Sequence, residues 1–129
     1  MQREAPQENS SSYSSQVNAL LKKYTAGERS FREIDLSQCD LRSIDLKGAD
    51  LSYADLGDAI LNNANLRGTD LSYANLSAAD LTQADLRGTS LLGADLREAI
   101  LKEVRLIGAD YDETTRFPAG FDPVEQIDS

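Results

Sequence analysis

No histidine occurs in the 129 residues, which removes the commonest general base, metal ligand and pH switch. Cys39 is the only cysteine, so an intrachain disulfide is excluded and a reducing, cytoplasmic setting is expected. Tryptophan is absent and phenylalanine occurs three times, so a core must be assembled from smaller side chains. No apolar run approaches membrane-spanning length, and the opening "MQREAPQENSSSYSSQ" has no apolar signal segment. Cations are in short supply too, 13 against 22 acidic residues for a net charge of −9. That balance disfavours direct binding of nucleic acid or an anionic membrane, and suits an acidic surface shown to a basic partner.

What the chain has in abundance is leucine at a fixed interval. Leu36, Leu41, Leu46, Leu51, Leu56, Leu61, Leu66, Leu71, Leu76, Leu81, Leu86, Leu91, Leu96, Leu101 and Leu106 fall on every fifth position. Phe31 precedes the series and Tyr111 follows it in the same register. Five residues advance an α-helix by roughly 500°, so the leucines would wander around the cylinder. On a strand an odd spacing alternates faces. A chain that turns every few residues can return each leucine to one interior, and the seventeen positions are the expected core.

A small residue stands two places before most of the leucines, as at Ala49, Ala54, Thr69 and Ala84. An Asp or Asn usually stands one place before, as at Asp50, Asp55, Asn65 and Asp70. A second period of twenty runs through the first. Gly48, Gly68, Gly88 and Gly108 form one column, Lys47, Arg67 and Arg87 another, and Tyr53 and Tyr73 a third. The glycine column predicts one corner with φ > 0, a turn type distinct from those at the other corners.

The Ala-Asp/Asn-Leu-x-x motif, repeated over residues 29–113, resembles the pentapeptide repeat family. The resemblance implies an all-β fold, a right-handed quadrilateral β-helix with four pentapeptides per coil. Seventeen repeats then give about four coils, a rod on the order of 20 Å long at sheet spacing.

Exposed coil edges need covers. Val17, Leu20, Leu21 and Tyr24 lie at helical spacing, so residues 15–28 are expected to form a short capping helix, similar to the segment preceding the repeats in cyanobacterial members. Residues 114–129 drop the leucine register, and their prolines and glycine argue against regular structure. Phe117 and Phe121, with Tyr111, are expected to fold over the last coil as a capping tail. That makes a monomer the expectation over end-to-end pairing. Residues 1–14 are polar and Ser-rich and are expected to be disordered.

The search for chemistry finds no catalytic, cofactor-binding or metal-binding set. The aspartates occur once per repeat on all sides, whereas calcium needs six to eight oxygens around one point. Cys39 stands where other repeats have alanine and reads as a small buried hydrophobe. A leucine-filled interior leaves no room for a small substrate. Function therefore falls to the surface. Tyr53 and Tyr73, with Leu92 one coil further on, form the candidate protein-contact patch, the alternative being simple packing between coils. Ile60 and Ile100 interrupt the Asp/Asn column on another side. The Lys47, Arg67 and Arg87 column continues to Ile107 and, flanked by Asp45 and Asp85, is expected to be neutralised internally. The reading is a non-enzymatic interaction or scaffold module for an unidentified protein partner. The resemblance implies a possible regulatory role and, as the alternative, an acidic DNA mimic acting on a DNA-binding protein such as gyrase.

Overall fold

The computed structural model describes residues 13–126. Two helices, α1 (Ser15–Thr25) and α2 (Pro123–Gln126), bracket a region built by turning rather than by long strands. Thirteen parallel bridges, from Ser30↔Asp50 to Ser90↔Asp110, each join residues twenty apart. The coil is therefore twenty residues long, four pentapeptides, and successive coils stack.

The corner is the same throughout. The amide of the residue three after each core position from Phe31 to Leu106 donates to that core residue's carbonyl, as from Ala54 to Leu51 at 3.1 Å and from Ala74 to Leu71 at 3.0 Å. The third residue of every such turn from Phe31 to Leu106 has positive φ, between 57° at Asp58 and 76° at Gly108. The second residue does not, which makes these type II turns. The glycine column has the expected sign, with φ of 75°, 67°, 70° and 76° at Gly48, Gly68, Gly88 and Gly108. The expectation of a distinct turn type there is corrected, because eleven side-chain-bearing residues take the same conformation at other corners. Stacking explains the uniformity. A left-handed third residue aims its amide at the next coil, as Tyr53 N–H does at the Ser72 carbonyl at 2.9 Å. Each repeat from Phe31 to Leu86 makes three such coil-to-coil bonds, exemplified by Leu56 to Asn75, Asp58 to Ser77 and Asn75 to Ala54. They offset a left-handed cost on the order of 1 kcal/mol per residue.

The Asp/Asn column has a local cause. The Asp50, Asp70 and Asp80 Oδ1 atoms accept from the amides of Ser52, Ser72 and Thr82 at 3.0, 2.9 and 3.1 Å. These are Asx turns, satisfying an amide that the corner would otherwise leave to solvent. Arg42, Arg87 and Arg97 also close onto Asp40, Asp85 and Asp95 of their own turns, so the pairing lies within a turn rather than between neighbouring ones.

Fifteen of the seventeen core positions are buried. Leu101 and Tyr111 are half-buried because the final coil is only partly covered. Ile44 and Val104 fill two of the small positions and are buried as well. Thr69 and Thr89 enter the core with their hydroxyls donating to the Leu66 and Leu86 carbonyls, both at 2.8 Å. Cys39 departs from its expected burial and is half-buried beneath α1, its thiol donating to Gln16 Oε1 at 3.6 Å.

The helix closes the first edge with its polar side chains as well as its apolar face. Ser14 caps it, Oγ accepting from Val17 N–H at 3.3 Å, and Val17 and Leu20 are buried. Edge carbonyls that have no preceding coil take side-chain donors instead. Tyr13 Oη donates to Arg42 at 2.6 Å, Tyr24 Oη to Lys47 at 2.7 Å, and Gln16 Nε2 to Asp35. Tyr13 and Ser14, expected in a disordered terminus, thus belong to the cap; the rest of that expectation, residues 1–12, lies outside the described residues, as do 127–129.

At the other end the ladder passes the expected boundary at 113. Arg116 pairs with Asp95, twenty-one residues away, after a one-residue insertion. Thr115 becomes the inward residue, donating to the Leu91 carbonyl at 2.8 Å, and Phe117 takes the next core position. Tyr111, Phe117 and Phe121 then pack in series, with centroids 5.5 and 5.3 Å apart. The prolines do not preclude helix here, since Pro123 opens α2, where its missing amide costs nothing.

Candidate protein-contact face

One corner column reads Glu33, Tyr53, Tyr73, Gly93, and it is where the structure concentrates exposed aromatic surface. Tyr53 and Tyr73 are held by the same left-handed corner, at φ 63° and 62°, one coil apart. Their rings stack with centroids 5.1 Å apart and planes 14° from parallel. Both remain exposed, Tyr53 at 49% and Tyr73 at 56%. The Arg32 guanidinium lies 5.3 Å from the Tyr53 centroid. Its Nε donates to Ser52 Oγ at 3.1 Å, and that hydroxyl donates to Asp50 Oδ1 at 2.7 Å. A polar chain thus anchors the cation beside the rings.

Gly93 was not singled out from the sequence, although it replaces tyrosine in the 53/73 column. A Cβ there would stand 2.4 Å from the Tyr73 Cδ1, so the ring occupies the space of a side chain at 93. With φ at 72°, glycine suits the position on both counts. Leu92 is half-buried, and the contact that joins it to Tyr73 is the backbone bond from Tyr73 N–H to its carbonyl at 2.8 Å. The patch is therefore a tyrosine pair with Arg32 and Gly93, and Leu92 borders it.

Carboxylates flank the column on both sides, Asp50 and Asp70 on one and Asp35, Asp55 and Asp95 on the other. Hydrogen bonds from the Ser37 and Ser52 hydroxyls and amides hold Asp35 and Asp50 below the usual carboxylate range. Arg97, bonded to Asp95 through its side chain, does the same there. Asp35, Asp50 and Asp95 are therefore ionised at neutral pH.

The other sides offer less. Ile60 and Ile100 are 38% and 50% exposed, with Asp80 bridged between them. In the basic column, Arg87 is neutralised by Asp85 at 2.6 Å, while Lys47 and Arg67 have no ion pair among the described residues. Internal neutralisation is thus complete at one of those three cations. Three hollows, of about 400, 260 and 220 Å³, lie beside the C-terminal tail, under α1 and next to Arg97, the first bordered by Leu101 and the second by Phe31 at the two ends of the leucine column. The described residues contain no group of three or more acidic or cysteine side chains placed to hold a metal, and no helix long and apolar enough to cross a membrane.

A twenty-residue coil with four like turns and a leucine-filled interior defines a β-helix built of pentapeptides. The family model for pentapeptide repeats matches in eight copies, over residues 30–68, 49–88 and 79–110. The chain belongs to the pentapeptide repeat family, whose fold is the right-handed quadrilateral β-helix. It is 51% identical to alr5209, a pentapeptide repeat protein from Nostoc PCC 7120, over 86% of this chain and 92% of that one, with a TM-score of 0.85. Identity is 37% to a pentapeptide repeat protein of the Arabidopsis thaliana thylakoid lumen, covering 61% of this chain and 58% of the other at a TM-score of 0.50. HetL of Nostoc PCC 7120, involved in regulating heterocyst differentiation, is 40% identical over 71% of this chain and 45% of its own, at a TM-score of 0.44. No curated protein matches the sequence.

Proposed function

We propose that the chain is a non-enzymatic interaction module, a rigid monomeric β-helix that presents the Tyr53–Tyr73 face to a protein partner. The observation that carries this is the placement of two half-exposed, mutually stacked phenols in a carboxylate-rich surround, on a scaffold whose interior is filled by leucine. Interface cores are enriched in tyrosine, and a ring already held in a stack loses little entropy on binding. The coil geometry supports rigidity, because each repeat within the stack is bonded to the coils above and below. Small-molecule turnover and direct nucleic-acid binding form no part of the reading. The mimic alternative is set aside, because the aspartates turn into their own corners on every side instead of tracing a duplex-like path. The test compares the intact protein with a Tyr53→Arg/Tyr73→Arg variant in partner capture from the source organism, followed by binding with purified components. A partner held by the intact chain and released by a variant of unchanged melting temperature supports the module. Equal retention by both proteins moves the contact to another face.

A further inference from the structure

The last coil keeps the bonding groups of a coil that has a successor. Inside the stack, the amides of Leu81, Gln83, Leu86 and Gly88 donate to the carbonyls of Ile100, Lys102, Arg105 and Ile107 at 2.8, 2.9, 2.8 and 3.0 Å. In return the Ile100 and Arg105 amides donate to the Ala79 and Ala84 carbonyls. One coil later the same positions are the amides of Leu101, Glu103, Leu106 and Gly108 and the carbonyls of Ala99 and Val104. None of these six groups has a hydrogen-bond partner among the described residues. The tail does not supply one, because its last ladder pairing is Arg116 with Asp95, one side earlier. It then departs through Pro118, Ala119 and Gly120, and the hollow of about 400 Å³ opens there beside Ala99, half-buried Leu101 and Phe121. Arg105 stands exposed on the same edge with no ion pair among the described residues, whereas Glu103 accepts from Gln83 at 2.8 Å.

We infer that this edge is extended by a segment of a partner protein, which adds to the ladder as a further half-coil. The edge sets the pattern of that segment. Only a polypeptide offers carbonyls at the spacing of the four amides, as in strand addition elsewhere. One large apolar side chain fills the hollow beside Leu101. Five residues on the inward residue is small, because Leu106 is already covered. Charge complementarity places a carboxylate over Arg105, where Asp85 stands one coil below. A second copy of the chain does not fit, since its matching edge is closed. There Gln16, Tyr13 and Tyr24 already donate to the Asp35, Arg42 and Lys47 carbonyls. The inference goes beyond the tyrosine-face reading and does not depend on it.

The test is amide hydrogen exchange and NMR titration of the full chain with acetyl-Ala-Asp-Leu-Thr-Gln-Ala-Asp-Ala-Ser-Gly-amide. In the free chain the amides of Leu101, Glu103, Leu106 and Gly108 should exchange fast, while those of Leu81, Gln83, Leu86 and Gly88 are protected. Saturating peptide is expected to slow the first four by roughly tenfold or more. Serine in place of the peptide leucine should weaken binding roughly tenfold or more. Arg105→Glu should weaken it about two- to fivefold, and a peptide with lysine for the second aspartate should recover that loss. Thermal unfolding checks that this variant folds. No slowing at the four amides, equal binding of the leucine and serine peptides, or a preference unmoved by Arg105→Glu overturns the inference. Protection already present in the free chain also overturns it: protection rising with protein concentration makes a second copy the occupant, and constant protection makes it the chain's own tail.

Discussion

Leu71→Ala tests the leucine-filled coil where it should be least forgiving. Leu71 is fully buried, with its amide donating to the Ser90 carbonyl and its own carbonyl closing the corner onto Ala74. Truncation removes three carbon atoms from the interior, worth about 2 kcal/mol of transfer free energy. The backbone cannot close on the gap, because the coils above and below are held at fixed spacing by their ladder bonds. A residual cavity of about 60 Å³ adds about 1.5 kcal/mol, giving a total near 3.5 kcal/mol and within the range of buried Leu→Ala changes. For a domain of this size that lowers Tm by roughly 12–16 °C. Circular dichroism melts and urea titration of both proteins would measure it. Leu101→Ala provides the internal control, since a half-buried leucine in the last coil should cost about half as much. A loss below about 1 kcal/mol at Leu71 would mean that the interior relaxes, and the fixed-coil reasoning would be wrong.

Other expectations follow from the corners and the cap. Gly93→Ala should destabilise by about 1–2 kcal/mol through left-handed strain alone, and should also swing the Tyr73 ring outward, visible as loss of its ring-current shift on Tyr53. Asp80→Asn should be tolerated, because Asn65 and Asn75 already accept from the turn amides of Arg67 and Ser77. Asp80→Ala, which removes the acceptor, should cost about 1 kcal/mol in a urea titration. Tyr24→Phe deletes the donor to the Lys47 carbonyl and should likewise cost about 1 kcal/mol, read as earlier melting of the N-terminal end by hydrogen exchange. Hydrogen bonds lower the carboxyl pKa of Asp50, Asp80, Asp85 and Asp95 in the fold. Their contribution is present above the ordinary carboxylate value and is lost as pH falls through the lowered folded values. Melting temperature should therefore be flat near neutrality and decline below about pH 4, more steeply than in a multiple Asp→Asn variant.

The leucine register was legible because a period of five fits neither a helix nor a strand, and only a turning chain buries it. The interior followed, from Phe31 to Leu106, as did α1 from the spacing of Val17 and Leu20. The corners were only half legible. Glycine marks positive φ by its identity, but Tyr53, Asp58 and Ala78 are driven to the same conformation by ladder bonds to the next coil, which leave no local trace. The aspartate column was visible as a pattern, while its cause, an acceptor for the amide two residues on, is a property of the folded turn. The C-terminal register shift hid because one inserted residue moves Thr115 and Phe117 off the five-residue grid, and only pairing with Leu91 and Asp95 reveals them as continuing it. In the candidate patch Tyr53 and Tyr73 could be placed together by the twenty-residue repeat. The roles of Gly93 and Arg32 depend on ring orientation, which no spacing in the sequence encodes.

The most direct test of the central claim is a binding measurement between the purified chain and its captured partner, repeated with Tyr53→Arg/Tyr73→Arg and with Lys47→Glu/Arg67→Glu on the adjacent side of the coil. A partner that loses at least tenfold in affinity to the tyrosine variant alone, with both variants melting like the parent, is the predicted result. Loss confined to the Lys47/Arg67 variant, or no change in either, would contradict the assignment of the Tyr53–Tyr73 face as the contact surface.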